Sequence, residues 1–382
     1  MDRIYLCLAH MSGKEQQYIQ EAFDTNWVVP LGPNVNAFEE DLSTFVNGNR
    51  ALDKKVVALS AGTAAIHLGL IMLGVEKGDE VICQSFTFAA SANPVVYQGA
   101  TPVFVDSEPD TYNMDPQLLE ETIKDRIAKT GKKPKAIIPV YLYGMPAKID
   151  EIMEIARRYE IPVLEDAAEG FGSRYKGQVC GTFGEYGVMS FNGNKMITTS
   201  GGGALICPNE EAKKRVMFYA TQAREPYPYY QHEKIGYNYR MSNICAGIGR
   251  GQMTVANEHV KHHQWVHEQY VEKLSGINGI VVHSAPTSEM EPNYWLSTIR
   301  FEDDKHTIDR GLLPLVEKLS AANIETRPLW KPMHLQPVYK DAPAYTNGVS
   351  ERMFMRGLCL PSGPYVGEKE IEYITKNIIA NL

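Results

Sequence analysis

The sequence predicts an α/β protein: a mixed, mostly parallel sheet between helices, followed by a smaller α+β unit at the C-terminal end. Three observations predict it. Between residues 55 and 207, short apolar runs alternate with longer amphipathic stretches. The runs are apolar throughout rather than at every second position, as in strands buried on both faces. After Met253 the texture changes to one long helical stretch and then to fewer, more scattered strand-like pieces with more prolines.

The elements follow in order. Strand-like runs lie at 55–59 (KVVAL), 80–83 (EVIC), 102–105 (PVFV), 136–141 (AIIPVY), 162–165 (PVLE), 186–190 (YGVMS) and 203–206 (GALI). Each is bounded by Gly, Pro or Asp or lies next to one, the usual punctuation of buried strands. Helical patterns fill the gaps, at 63–73 and at 149–159. The second carries Ile149, Ile152, Ile155, Ala156 and Tyr159 on one stripe, with charges opposite. Alternating strands and helices imply a sheet covered on both faces, with ligands at the carboxyl ends of its strands. A helix over 255–274 connects to strand-like pieces at 279–282 and 295–301 and to a helix near 313–322. The expected division is a large domain over 1–254, whose N-terminal segment is free to pack on the small one, and a small domain over 255–382. No internal repeat or low-complexity tract interrupts this plan.

Composition narrows the function. The 382 residues are 44% hydrophobic and 22% charged, which suffices for two cores. A net charge of -8 argues against a nucleic-acid partner, which would require a basic face, yet leaves small anionic ligands open. The cysteines at 7, 83, 180, 207, 245 and 359 form no C-x-x-C pair. They read as buried or partly buried free thiols in a reducing compartment rather than as metal ligands. The start of the chain lacks a signal-peptide pattern, and no window reaches the apolar length of a membrane span. A cytoplasmic protein without a membrane partner is expected.

The chemistry is concentrated in four segments. In PVLEDAAEGFGS (162–173) a strand ends on Glu165 and Asp166. A carboxylate at that edge could face the nitrogen of pyridoxal 5'-phosphate (PLP) and keep it protonated, so that the ring accepts an electron pair. The plain alternative for Asp166 is a helix N-cap. In YGVMSFNGNKMITTSGGGAL (186–205), Lys195 stands five residues beyond a strand end, among Gly, Asn, Thr and Ser with no neighbouring charge in sequence. A Schiff-base lysine needs such a loop. Ser190 and Asn192 are placed to donate to a phosphate. The glycines at 201–203 either offer backbone N–H groups to that phosphate or let the chain turn into the next strand. In LSAGTAAIHLGL (59–70), Gly62 and Thr63 open a helix after a strand, where unpaired N–H groups and the helix dipole favour an anion. Phe86 and Phe88 follow the EVIC strand. Phe88 is preferred as a ring-stacking residue and Phe86 as core.

Taken with LGPNV (31–35), SFTFAAS (85–91), GYNYRMS (236–242), ETRPLW (325–330), Met333-His334 and LPS (360–362), the chain resembles the DegT-like family of nucleotide-sugar transaminases over nearly its whole length. The resemblance implies the aspartate-aminotransferase-like (type I PLP) fold and PLP as cofactor, cycling through pyridoxamine phosphate. It implies Lys195 as Schiff-base lysine and Asp166 as partner of the ring nitrogen. Gly62, Thr63 and Ser190 match phosphate ligands and Phe88 the stacking aromatic. Glu169 stands where many members carry Gln or His bonded to the ring hydroxyl, so an acidic group there should perturb that bond. Asn238 matches the asparagine that reaches the partner subunit's phosphate, which implies a homodimer with shared active sites.

TQARE (221–225), SFNGNKMITTSGGG and ETRPLWKPMH resemble the subgroup that aminates UDP-linked 4-keto-6-deoxy-N-acetylhexosamines, with L-glutamate as donor, in bacillosamine-type glycan pathways. Arg224, Tyr239, Arg240, Arg327, Trp330 and His334 are its candidates for holding diphosphate, uracil or sugar. Each also has a plain reading as a structural contact. Members acting as dehydratases carry histidine in place of the lysine, so Lys195 argues against that activity. A non-catalytic regulator binding PLP or a nucleotide sugar, and a transaminase acting on a 3-keto or dTDP-linked sugar, are the competing readings.

Overall fold

The computed structural model describes residues 2–382. Seven strands build the main sheet: β1 (Lys55–Leu59), β2 (Glu80–Gln84), β3 (Thr101–Val105), β4 (Ala136–Ile138), β5 (Leu164–Asp166), β6 (Tyr186–Ser190) and β7 (Gly203–Cys207). Their order is β1-β7-β6-β5-β4-β2-β3. Two bridges, Ile137 to Val163 and Val140 to Asp166, join the β5 and β4 halves. All pairings are parallel except those of β7, which runs antiparallel between β1 and β6. The reversal goes with the connection: Phe191 to Gly202 form a loop without the helix that usually carries a parallel crossover.

The expected strands are all present, with ends moved by proline. The run at 136–141 stops being regular at Ile138 because Pro139 has no N–H to donate, and the chain then turns through Leu142–Gly144. The run at 162–165 becomes Leu164–Asp166 for the same reason at Pro162. Helices cover the sheet as the periodicity predicted. Ile149–Tyr159 buries Ile149, Ile152, Ile155 and Ala156, leaving Tyr159 only half-buried.

Ala256–Leu274 is the long helix. Beyond it, β8 (Ile280–Val282), β9 (Ser297–Phe301), β10 (Arg327–Pro328) and β11 (Gly357–Leu360) form an antiparallel sheet in the order β8-β9-β11-β10. Leu312–Ala321 and Glu368–Ile379 pack with it around Ile299, Phe301, Leu315, Leu358, Ile371 and Ile374. The N-terminal segment joins this unit: Ile4 bridges Ile324, and the Leu6 carbonyl accepts from the Ser362 N–H. Five of the six cysteines are buried, Cys245 is partly exposed, and all six are free thiols. Among the described residues no helix is long and apolar enough to cross a membrane.

Candidate active site

A cavity of about 400 Å³ opens at the carboxyl ends of β1, β5 and β6. That size suits a cofactor with part of a substrate. Gly62, Thr63, Phe88, Asp166, Glu169, Ser190, Asn192, Lys195 and Trp330, spread over 269 positions of sequence numbering, all line it.

Strand alternation decides which acid faces the cavity. Successive side chains of β5 point to opposite faces, so Asp166 reaches the cavity while Glu165 turns into the protein. There Glu165 accepts from the Tyr141 hydroxyl and from the N–H groups of Gly181 and Gly184. Asp166 is 4% exposed. Its Oδ1 accepts the Ala168 N–H at 3.1 Å, and its Oδ2 accepts from Ser91 Oγ at 2.6 Å. The bond to Ala168 closes a turn and no helix follows, so the N-cap alternative does not apply. Burial pushes the Asp166 carboxyl up, opposed by Ser91, the Ala168 N–H and the positive Lys195.

Lys195 sits in the loop between β6 and β7, where its own N–H donates to the Asn192 carbonyl at 3.0 Å. Its Nζ lies 3.9 Å from the centroid of the Trp295 ring and 3.5 Å from Glu169 Oε1. The sequence around Lys195 carries no charge, but the fold brings Glu169 to it. Glu169 Oε2 accepts the Tyr143 N–H at 2.7 Å, so the carboxylate is oriented from one side and faces the lysine with the other oxygen. Burial pushes this carboxyl up too, and Lys195 is the main opposing influence.

The Gly62–Met72 helix starts at the cavity wall with an extended N-cap, Ala61, and no side chain caps it. Its first N–H groups therefore lack intrahelical and side-chain acceptors and are available to an anion. Packing here is close. A Cβ on Gly62 would come 3.1 Å from Ser190 Cβ, and one on Gly203 would lie 2.3 Å from the Gly62 nitrogen. Gly203 thus serves the turn into β7 and the close approach of β7 to the helix start, while Gly201 and Gly202 line the cavity. A buried carboxylate, an amine and an uncapped helix start around one cavity match the ring nitrogen, aldehyde and phosphate of PLP in donor type. The residues present fit the group.

Phe86 is fully buried, whereas Phe88 is exposed at the cavity mouth, its ring centroid 6.0 Å from that of Trp330. The backbone N–H of Trp330 donates to the Tyr143 hydroxyl at 2.8 Å. The other candidates lie outside this chain's cavity lining. Asn238 and Arg224 are exposed on the segment that follows Ala220. Tyr239 hydrogen-bonds His67 Nδ1 at 3.2 Å and stacks on Tyr237. Arg240 bridges Leu59, and its Nε is buried without a protein partner. Arg327 pairs with Glu325 at 3.0 Å. His334 Nδ1 lies 2.6 Å from Ser85 Oγ, holding the loop after β2 instead of facing the cavity.

Sequence reasoning missed Ser91 and Trp295. Ser91 was within reach, because it lies four residues after Thr87 in the segment already singled out for its aromatics. Trp295 lies 100 positions beyond Lys195, with no local signal to join them.

A model of the DegT/DnrJ/EryC1/StrS aminotransferase family matches residues 9–379. The chain is 48% identical over 374 residues to EpsN of Bacillus subtilis (strain 168), a relative described as a pyridoxal phosphate-dependent aminotransferase, covering 96% of this chain and 93% of the relative. It is 35% identical over 370 residues to the GDP-perosamine synthase of Escherichia coli O157:H7, covering 96% and 95%. The sugar aminotransferase Spr1654 of Streptococcus pneumoniae, solved in PLP and PMP forms, superposes with a TM-score of 0.89 at 25% identity, covering 98% of this chain in each form and 97% and 98% of the solved chain.

Proposed function

The chain belongs to the DegT/DnrJ/EryC1/StrS aminotransferase family of PLP-dependent transaminases, and we propose that it moves an amino group from L-glutamate to a UDP-linked 4-keto-6-deoxy-N-acetylhexosamine. The observation that carries the reaction class is the convergence of Asp166, Lys195 and the uncapped start of the Gly62–Met72 helix on one cavity. When bound, the cofactor supplies an aldehyde carbon that carries nitrogen between substrates and a ring that accepts an electron pair.

The chain's own residues do the rest. Lys195 would hold the cofactor through its amine, and the freed amine would take up and return a proton at the substrate carbon as base and then acid. Glu169 and the Trp295 face hold its ammonium within 3.5 and 3.9 Å, so the free amine stays beside the reacting atoms. Asp166 holds the proton on the ring nitrogen. The first N–H groups of the helix at Gly62 and Thr63, with Ser190 and Asn192, hold the phosphate. Phe88 and Trp330 wall the side on which a sugar would lie.

The choice of UDP and of the 4-keto sugar rests on TQARE and ETRPLWKPMH, while the GDP-perosamine synthase relative supports a GDP-linked sugar as the second reading. A panel of UDP-, GDP- and dTDP-linked 4-keto sugars and a UDP-linked 3-keto sugar separates them. The UDP-linked 4-keto-6-deoxy-N-acetylhexosamine is expected to give the highest kcat/KM, with amination at C4 by NMR. Preference for a GDP sugar would overturn the nucleotide assignment.

A homodimer with shared sites completes the reading. Asn238 is exposed and outside its own cavity lining. Large exposed apolar side chains also recur in two segments, with Phe23, Val28, Val29 and Leu31 in one and Tyr229, Tyr230 and Ile235 in the other. If Asn238 serves the partner's phosphate, Asn238→Ala and Lys195→Ala lie in different copies of the same site. In a mixed dimer one site carries both lesions and the other neither. Subunit exchange between the two variants should restore up to half of the wild-type activity per mixed dimer. One hydrogen bond to a charged group is worth roughly 1.5–3 kcal/mol, so Asn238→Ala should weaken PLP binding by about one to two decades, and complementation is clearest at limiting PLP. A mixed dimer no better than its components would assign Asn238 to its own chain.

A further inference from the structure

We propose that Thr87 and Ser91 form a hydroxyl relay that positions Asp166 and keeps it ionised. The inference rests on the role of Asp166 given above and extends it to residues to which no function has been given. Both hydroxyl-bearing residues stand in the cavity wall and are buried, each 1% exposed. Ser91 Oγ lies 2.6 Å from Asp166 Oδ2 and 2.7 Å from Thr87 Oγ1. Distance alone leaves the direction of the second bond open, but the carboxylate settles it. An ionised carboxylate only accepts, so the single Ser91 proton goes to Asp166, and Ser91 must then accept from Thr87. The chain runs Thr87 O–H to Ser91 O–H to Asp166, and each bond polarises the next.

The fold explains why these two residues cooperate. After β2 the segment leaves the sheet edge, and a single 3-10 turn, Ala89–Ser91, brings residues 87 and 91 together beside β5. The same turn leaves Phe88 on the cavity wall. The turn is pinned from the C-terminal unit. The Met333 N–H donates to the Ser85 carbonyl at 2.8 Å, and His334 Nδ1 is bonded to Ser85 Oγ.

Asp166 needs this help. Burial favours its neutral form, whereas its function requires the charge. With one oxygen satisfied by the Ala168 N–H, the Ser91 hydroxyl bonds the other. Ser91 and Thr87 are assigned an effect exerted through Asp166, so they are positioning residues.

The test uses the PLP-loaded full chain with Ser91→Ala, Ser91→Thr, Thr87→Val and Asp166→Asn. Two pH titrations are recorded for each: kcat/KM, and the absorbance of the bound cofactor. Removing a donor to a carboxylate raises its pKa, so the acidic limb in Ser91→Ala should move to higher pH. Turnover on the acid side should fall about ten- to a hundredfold, the change that one hydrogen bond to a charged group carries. Thr87→Val should shift the limb the same way by less, and Ser91→Thr should return it. The cofactor absorbance should titrate with the same displacement, which a loss of packing would not produce. Limbs that stay in place in both Ser91→Ala and Thr87→Val, with Asp166→Asn inactive, overturn the relay and leave the role of Asp166 standing. Wild-type turnover in Asp166→Asn refutes the role of Asp166 itself.

Discussion

Replacing Lys195 with alanine is expected to abolish transamination and the visible absorbance of the covalently held cofactor while the chain still folds. The amine does two jobs that no neighbour can take over. In the function proposed above, it anchors the cofactor and carries a proton at the substrate carbon. The proton transfer alone is worth about 10²–10⁴-fold, so losing both should take turnover below detection. Glu169 cannot take over the anchor, because a carboxylate forms no Schiff base with an aldehyde.

The same variant carries a stability signature. Lys195 is the main influence that opposes the raised Glu169 pKa, so its removal leaves a buried carboxylate next to the Trp295 face without a cation. A carboxyl with a folded pKa above its unfolded value binds its proton more tightly in the native state. Stability is then lost as pH rises from the unfolded value through the folded one. Thermal unfolding of Lys195→Ala should therefore show a steeper fall in Tm between mildly acidic and neutral pH than the parent, and a double variant with Glu169→Gln should flatten it. Near-normal turnover in Lys195→Ala would remove the mechanism altogether.

How much of this was legible in sequence depends on distance along the chain. Strands and helices alternate with a local period, so the carboxyl edge and the two groups it carries, Asp166 and Lys195, could be placed from short windows. The uncapped helix start at Gly62 is also a local pattern. Strand ends at Ile138 and Leu164 were misjudged by three and two residues because apolarity continues through Pro139 and Pro162, where pairing cannot. The reversal of β7 was not foreseen, although the twelve residues between β6 and β7 carry no helical pattern that could form a crossover.

Contacts built by tertiary packing were invisible. Lys195 appeared to have no charged neighbour, yet a residue 26 positions upstream supplies one, and Trp295 comes from beyond the long helix. The substrate candidates show what local pattern could not supply, namely the contacts each side chain makes in the fold. His334 and Tyr239 carry reactive-looking groups, but Ser85 and His67 already engage them, and Arg327 is paired with Glu325. Residue type and segment membership located Trp330 at the cavity and could not separate it from these.

Asp166→Asn is the second variant with a large expected effect, and geometry makes it cleaner than most buried substitutions. The carboxylate has one oxygen on the Ala168 N–H and the other on Ser91 Oγ. An asparagine can present its carbonyl to the Ala168 N–H, which can only donate, and its NH₂ to Ser91, whose hydroxyl can turn to accept. One hydroxyl proton of the Thr87–Ser91 pair then loses its acceptor, which costs about 1–3 kcal/mol, so the variant should fold with lower stability and still bind PLP. The amide, however, cannot hold a proton on the ring nitrogen, and the electron sink is lost. Removing one electrostatic partner of developing charge costs about 10²–10³-fold in kcat, and at least that is expected here. The pH profile separates this from a packing defect. In the parent, activity should fall on the acid side as Asp166 takes up its proton, at a pH raised by burial. In Asp166→Asn that limb has no group to titrate, so the rate should be uniformly low across the range and should not recover at high pH. Recovery at high pH would mean that another group keeps the ring protonated, and normal rates would show that Asp166 serves only the turn to Ala168.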